Sequence, residues 1–198
     1  MQGADDQQER LDGYIAGYVD GEGCFSVSIS RNSTTVFRYQ LVPEFHVSQI
    51  GERSEVLQLI RERLRCGYIK PNGRNDRTLV LVVRRREDLL SRVVPFFERC
   101  PLLSSKQREF EKFAVVVRAM AEGQHQTLAG FTKLVEIGLS MNGSGQYRQV
   151  RWRSLIGHPE SSETVRRTGS HPEDTVRAAW RHAESGRNDL ALDPSGRE

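Results

Sequence analysis

The stretch Ile15-Ala16-Gly17-Tyr18-Val19-Asp20-Gly21-Glu22-Gly23-Cys24 constrains this chain more than any other. Wound at about 3.6 residues per turn, it and the turn before it set Leu11, Tyr14, Ile15 and Tyr18 on one helix face. Gly13, Ala16, Gly17 and Asp20 fall on the other, and Gly13, Gly17 and Gly21 recur every four residues. Each glycine inside a helix costs about 1 kcal/mol against alanine. A side-chain-free stripe offsets that cost where another helix comes nearly into backbone contact, as in small-xxx-small packing. The large face then buries in the chain's own core. The stretch closes with Asp20-Gly21-Glu22-Gly23, so two carboxylates sit at a helix C-terminus, where the helix dipole disfavours negative charge. Acids held there serve as metal ligands or members of a polar network. The plain alternative is a glycine-rich helix stop with solvated acids.

The 198 residues suffice for one domain, or one domain and a tail, and 37 % hydrophobic with 28 % charged residues reads as soluble and globular. No apolar run approaches the roughly 18 residues of a membrane span, so no membrane partner is expected. The segment 1–9 is polar and acidic, without a signal-peptide pattern. Cys24, Cys66 and Cys100 are odd in number, widely spaced and without a CxxC pair, which suggests neither a disulfide framework nor a zinc site. A reducing, cytoplasmic compartment, bacterial or organellar, is the simple expectation. The net charge of +3 says less than its distribution: nine Arg and Lys lie between Arg61 and Arg86, against Glu62 and Asp76. Such a concentration is an electrostatic footprint for a polyanion, or else an ordinary solvated surface.

Asp6-Gln7-Gln8-Glu9 has capping-box spacing, so the first helix is predicted to start near Gln7 and to end by Gly21. A half-buried strand follows, with Phe25, Val27 and Ile29 on one face and Ser26, Ser28 and Ser30 on the other. After a polar turn over 31–35, a second strand carries Phe37, Tyr39, Leu41, Phe45 and Val47 on one side. Its other side holds Arg38, Gln40, Val42, Glu44, His46 and Ser48. Pro43 implies a bulge or an unpaired edge position. Residues 53–64 read as a helix, Gly67-Tyr68-Ile69-Lys70 opens a third strand, 71–76 is a turn cluster, and 77–83 is a fourth strand. Three more helices are predicted, over 86–98, from a Ser104/Gln107 capping box to about Met120, and over 127–139. One sheet face is apolar and must rest on helices. The other, rich in Ser, Arg, Gln, His and Lys, suits the major groove of DNA, although any antiparallel sheet with one wet face looks similar. From residue 149 the chain turns polar and proline-interrupted, and 149–198 is expected to be a mostly disordered tail, with a short helix at most over 175–183.

The nonamer Ile15-Ala16-Gly17-Tyr18-Val19-Asp20-Gly21-Glu22-Gly23 resembles the LAGLIDADG motif of intron-encoded homing endonucleases. The resemblance runs over roughly residues 10–148 and takes in the two alternating strands, Gln49, Gly67-Tyr68, Lys106, Met141-Asn142 and Arg148. It implies an α+β fold of order αββαββα, with a four-stranded antiparallel DNA-binding sheet and extra C-terminal helices, over residues 1–148. A single copy of the motif implies a homodimer of the group I intron-encoded type, its interface made by Gly13, Ala16, Gly17 and Asp20. Two-fold symmetry in turn implies a near-palindromic target in double-stranded DNA. Mg2+, with Mn2+ as the substitute, is the implied cofactor. By position Glu22 holds the metal, beside Gly21, where the family more often has aspartate. Asp20 serves the helix end, Gln49 orders solvent, Lys106 polarises water or stabilises charge, and Arg53 is a further basic pocket residue.

On this resemblance the outward strand residues contact DNA: Ser26, Ser28, Ser30 and Asn32 from the first strand and its turn, and Arg38, Gln40 and His46 from the second. Lys70, Asn72, Arg74 and Arg77 complete the set. Arg and Gln offer bidentate base contacts, and serines work through water. The expected function is site-specific double-strand cleavage that promotes intron homing. The alternatives are an RNA-binding maturase, with the host intron RNA as partner, and a DNA-binding protein that does not cut. The codons of Glu173-Asp174-Thr175-Val176-Arg177 suit an overlap with the intron's catalytic core; a basic extension that adds DNA affinity is the bland reading.

Overall fold

The computed structural model describes residues 2–74 and 76–143. Arg148, the tail over 149–198, its short helix and the codon-overlap segment lie outside the described residues. Among these, the expected element order is borne out. Helix α1 spans Gln2–Glu22, β1 Gly23–Arg31, β2 Tyr39–Ile50, α2 Glu55–Leu64, β3 Tyr68–Pro71 and β4 Thr78–Val83. Four helices follow: α3 Arg86–Asp88, α4 Val94–Arg99, α5 Lys106–Ala121 and α6 Leu128–Leu139. No described helix is long and apolar enough to cross a membrane.

The strands form one antiparallel sheet of order β1-β2-β4-β3. Period-2 alternation fixes its register, since a one-residue slip would turn every apolar side chain to the wrong face. Phe25 faces Phe45 across β1 and β2, and Phe45 faces Val83 across β2 and β4. Their inner faces meet the helices in an aromatic cluster. Phe25 lies 5.1 Å from Phe45, 5.3 Å from Phe97 and Phe110 and 5.4 Å from Phe113, centroid to centroid. All five rings are fully buried. Offset and edge-on rings at such spacing add to what area burial alone supplies.

Several local expectations change. Helix α1 begins at Gln2, not near Gln7, and runs on to Glu22; Asp6 pairs with Arg10 one turn on at 3.1 Å instead of capping. The buried face of α1 centres on Ile15 and Val19, while Tyr14 is more than half exposed. Strand β2 starts at Tyr39, because the turn reaches Arg38, which has φ +55°. Phe37 therefore leaves the strand and rests on Phe131, 5.2 Å away. Pro43 makes no bulge: it pairs in register with Val27, but β4 ends opposite Phe45, so the β4 side of Pro43 is a local edge that needs no N–H. The predicted helix over 86–98 is broken by a π turn over Leu89–Val93, followed by Pro95 in the first turn of α4. Proline has no N–H to give the preceding turn, which widens. Finally, the outward sheet face is not polar throughout. Val80 and Val82 point outward yet are buried, since β4 is an inner strand flanked by His46 and Ser48 on β2 and by Tyr68 and Lys70 on β3.

Candidate nucleic-acid interface and catalytic centre

The site begins where α1 hands over to β1. A side chain on Gly23 would bring its Cβ to 2.5 Å from the Val19 side chain and 2.8 Å from the Val19 carbonyl. Only glycine permits so abrupt a change from helix to strand there. Strand β1 then starts opposite Val47, so Glu22 and Gln49 emerge at the same end of the sheet.

Each polar group at this end has a definable task. The Lys106 ammonium donates to the Val19 carbonyl at 3.0 Å and to the Gly21 carbonyl at 3.1 Å. A cation therefore caps the orphan carbonyls of α1 and meets the negative end of its dipole. That contact accounts for a lysine in the first turn of α5, which the dipole of α5 alone would disfavour. Asp20 accepts from the backbone N–H of Leu103 at 3.1 Å and of Ser104 at 2.9 Å, and from the Ser104 hydroxyl. Ser104 in turn accepts from the Lys106 N–H at 3.1 Å. Because Asp20 takes the Ser104 N–H, Gln107 reaches back to the Leu102 N–H at 3.0 Å, and the predicted capping box is redrawn as a relay. Thus Asp20 and Lys106 tie the ends of α1 and α5 together.

Gln49 donates through Nε2 to the Tyr18 hydroxyl, and its Oε1 accepts from the Ile50 N–H at 2.7 Å. Burial pushes the Tyr18 phenol above its ordinary value; the Gln49 bond lowers it and the nearby Glu22 charge raises it further. Glu22 itself stands exposed beside them. Asp20, Gly21, Glu22, Gln49 and Lys106 are therefore gathered around the last turn of α1. Arg53 is exposed on the short turn Gly51–Arg53 after β2, and no contact joins it to them.

On the sheet's outward face the named residues fall into two groups. Gln40 donates to the Ser30 hydroxyl at 3.1 Å and accepts from the Asn32 amide at 2.8 Å, so these three form one amide–hydroxyl patch. Ser26 and Ser28 lie along the same strand face, Ser26 opposite Glu44 and Ser28 opposite Val42. His46 sits in the next row, its Nδ1 3.0 Å from Glu44 Oε1 without the angle of a hydrogen bond. Lys70, Asn72, Arg74 and Arg77 are exposed on and around the β3–β4 turn. That turn is held by Asp76, which accepts from Asn72 at 2.9 Å and from the Thr78 N–H at 2.8 Å. The hydrogen bonds from Thr78 and Asn72 hold its carboxyl below the usual range. Arg38 is exposed but belongs to the β1–β2 turn, not to a strand.

Two sets of ion pairs escaped the sequence reading. Asp12 is buried on α1 and pairs bidentately with Arg63 of α2 at 2.6 and 2.7 Å, with Arg99 at 3.7 Å. Both guanidinium groups lie over the Phe96 ring, at 5.8 and 5.7 Å. Glu44 and Arg84 pair on the outward sheet face. Asp12 falls on the small-residue side of the helix wheel, and no pattern announces its distant partner. Glu44 and Arg84 are visible as charges but not as a pair. The glycine stripe is bare: a Cβ at Gly13, Gly17 or Gly21 would meet no atom within 4 Å. Ala16 differs from them, being buried within the chain.

A four-stranded antiparallel sheet with a largely polar outer face flanked by basic turns, and a glycine-striped helix that ends in an exposed acid, are the arrangement to compare with known proteins. The profile of LAGLIDADG endonucleases matches residues 15–117. The chain is 30 % identical over 116 residues to the homing endonuclease I-ApeII of Aeropyrum pernix, an alignment covering 59 % of this chain and 68 % of that protein. It is 29 % identical over 118 residues to the DNA endonuclease I-CeuI of Chlamydomonas moewusii, covering 58 % of this chain and 54 % of that one. The crystal structure of the homing endonuclease I-TnaI superposes with a TM-score of 0.67 at 36 % identity, over 73 % of this chain and 97 % of that one. The chain belongs to the LAGLIDADG endonuclease family. It spans about half the length of I-CeuI, as aligned.

Proposed function

We propose that the chain is a Mg2+-dependent, site-specific double-strand DNA endonuclease that acts as a homodimer on a near-palindromic target and promotes intron homing. One observation carries the reading. Glu22 is exposed at the end of a bare glycine stripe, on the same turn as a carbonyl held by the Lys106 ammonium, at one end of a basic, amide-rich sheet face. The stripe supports a second copy as the helix partner, because a Cβ at Gly13, Gly17 or Gly21 meets no atom of the described residues within 4 Å.

The donor set fits a hard divalent cation. The Glu22 carboxylate and the Gly21 carbonyl are both oxygen donors of the kind Mg2+ takes, with retained waters. Two copies of Glu22 meeting at a dimer seam would bring two carboxylates to such an ion. Held by Glu22 and the Gly21 carbonyl, Mg2+ would supply charge neutralisation at the phosphate and a more acidic water. The chain's own residues do the rest. The sheet face binds and orients the duplex through phosphate and base-edge contacts. Lys106 brings a fixed positive charge to the turn that carries Glu22, where charge develops on the phosphate. Gln49, clamped by Tyr18 and Ile50, keeps one amide proton with which to orient solvent.

The test is plasmid DNA carrying the uninterrupted target, incubated with the full chain and Mg2+ beside Glu22→Gln. Linear product from the wild type, and binding without cutting by the variant, supports the proposal. Binding by both without cleavage by either refutes it in favour of a non-cleaving DNA-binding protein or a maturase. Unchanged cleavage by the variant refutes the role of Glu22.

A further inference from the structure

The outward sheet face carries one acid where a DNA-binding surface should avoid it. Glu44 lies mid-strand on β2, opposite Ser26, and its side chain is only 17 % exposed. A carboxylate there repels phosphates. The Glu44 contacts show what it does instead. Oε2 accepts from Arg84 Nε, Oε1 lies 3.0 Å from His46 Nδ1, and its backbone carbonyl accepts from the Ser26 hydroxyl at 3.5 Å. The atom used on Arg84 is the telling detail. A carboxylate on Nε leaves the terminal Nη1 and Nη2 edge unengaged. Arg84 is 52 % exposed and stands just past the end of β4, and among the described residues neither Nη1 nor Nη2 donates a hydrogen bond.

We propose that Arg84 reads a guanine in the major groove through its terminal guanidinium fork, with Glu44 as the buttress that aims it. This rests on the reading of the sheet as the DNA-binding face. Guanine presents N7 and O6 as paired acceptors, and an end-on arginine fork matches both. An arginine side chain carries much rotamer entropy. The Nε bond removes part of that freedom before DNA arrives, which is how preorganisation raises specificity. A phosphate contact needs no such aim, because a phosphate accepts from many directions and is equally well served by a lysine.

The experiment is selection of binding sites from a duplex library of random sequence by the full chain under conditions that do not cleave, followed by titration of the enriched sites. The wild type is expected to enrich a two-fold symmetric site with a guanine at one position in each half. Arg84→Ala is expected to lose preference at that position only, and to bind the best site more weakly by roughly 5- to 100-fold for each half-site, the range of one bidentate base contact. Arg84→Lys keeps the charge and is expected to relax the same position while affinity for random DNA holds. Glu44→Gln is expected to weaken the guanine preference with Arg84 still present, and to raise affinity for random DNA. If Arg84→Ala and Arg84→Lys select the wild-type site unchanged, with at most a uniform loss of affinity, Arg84 contacts phosphate and the inference is overturned. If the wild type enriches no site at all, the reading of the chain as a site-specific DNA-binding enzyme falls, and the inference with it.

Discussion

Two acids, Asp20 and Glu22, stand two residues apart at the end of α1 and do different work. Both oxygens of Asp20 are committed within the chain, to Ser104 and Leu103. Glu22 stands exposed. Glu22→Gln is therefore expected to lower the cleavage rate by about a hundred-fold or more while leaving the urea midpoint unchanged. Asp20→Ala is expected to lower stability by about 1 kcal/mol, because it strips a helix-end tie of several hydrogen bonds at a partly solvated site. A rate lost without stability in the first variant, and stability lost in the second, would separate the two roles. His125 gives a pH signature. Burial, and then the neighbouring Arg86 charge, push its pKa below the ordinary value of 6.5. A base whose folded pKa is depressed binds fewer protons folded than unfolded as pH falls past the unfolded value. Its contribution is thus fully present above about pH 6.5 and is lost as pH drops toward the folded pKa. Denaturation midpoints measured from pH 7.5 down to 5 should fall, and His125→Gln should flatten the slope over that window.

At the scale of elements, three devices that build the fold around α1 differ in how far the sequence shows them. Alternation in β1 and β2 names their inner faces directly, because a strand's period of two admits one register with a buried face. The apolar anchors Ile15 and Val19 follow from helical periodicity, although the buried face is turned from the one that Leu11, Tyr14, Ile15 and Tyr18 suggest. The third device, the Asp12–Arg63 pair, joins residues 51 apart and has no local signature. Likewise Lys106 is marked by its position, yet its hold on the Val19 and Gly21 carbonyls depends on how α5 crosses the end of α1. Local pattern fixes elements and faces; partners between elements depend on packing, which a single sequence does not spell out. Asp12→Ala tests the pair. Removing one member of a mostly buried ion pair leaves Arg63 uncompensated and is expected to cost about 3 kcal/mol, read from chemical denaturation. A loss below about 1 kcal/mol would mean that water and Arg99 already screen the pair.

At the scale of the whole molecule, the proposed homodimer would link fold to assembly through the glycine stripe. Gly17 has open space around it and sits inside a helix. Gly17→Ala should raise the stability of the isolated chain by up to about 1 kcal/mol, as glycine-to-alanine changes in helices do. The same added methyl should weaken self-association, because the surface it occupies is the one a second helix must approach. Opposite signs for the two effects are the mark of a seam; a fold-stabilising change that leaves association intact would argue for a merely exposed helix. The most direct test of a centre built from two chains is the mass of the chain–DNA complex, measured by sedimentation on the uninterrupted target for the wild type and for Gly17→Leu, beside cleavage by each. A centre built from two chains predicts two wild-type chains per duplex with both strands cut, and a well-folded Gly17→Leu chain that binds singly and does not cut both strands. Double-strand cleavage by one chain per duplex would contradict it.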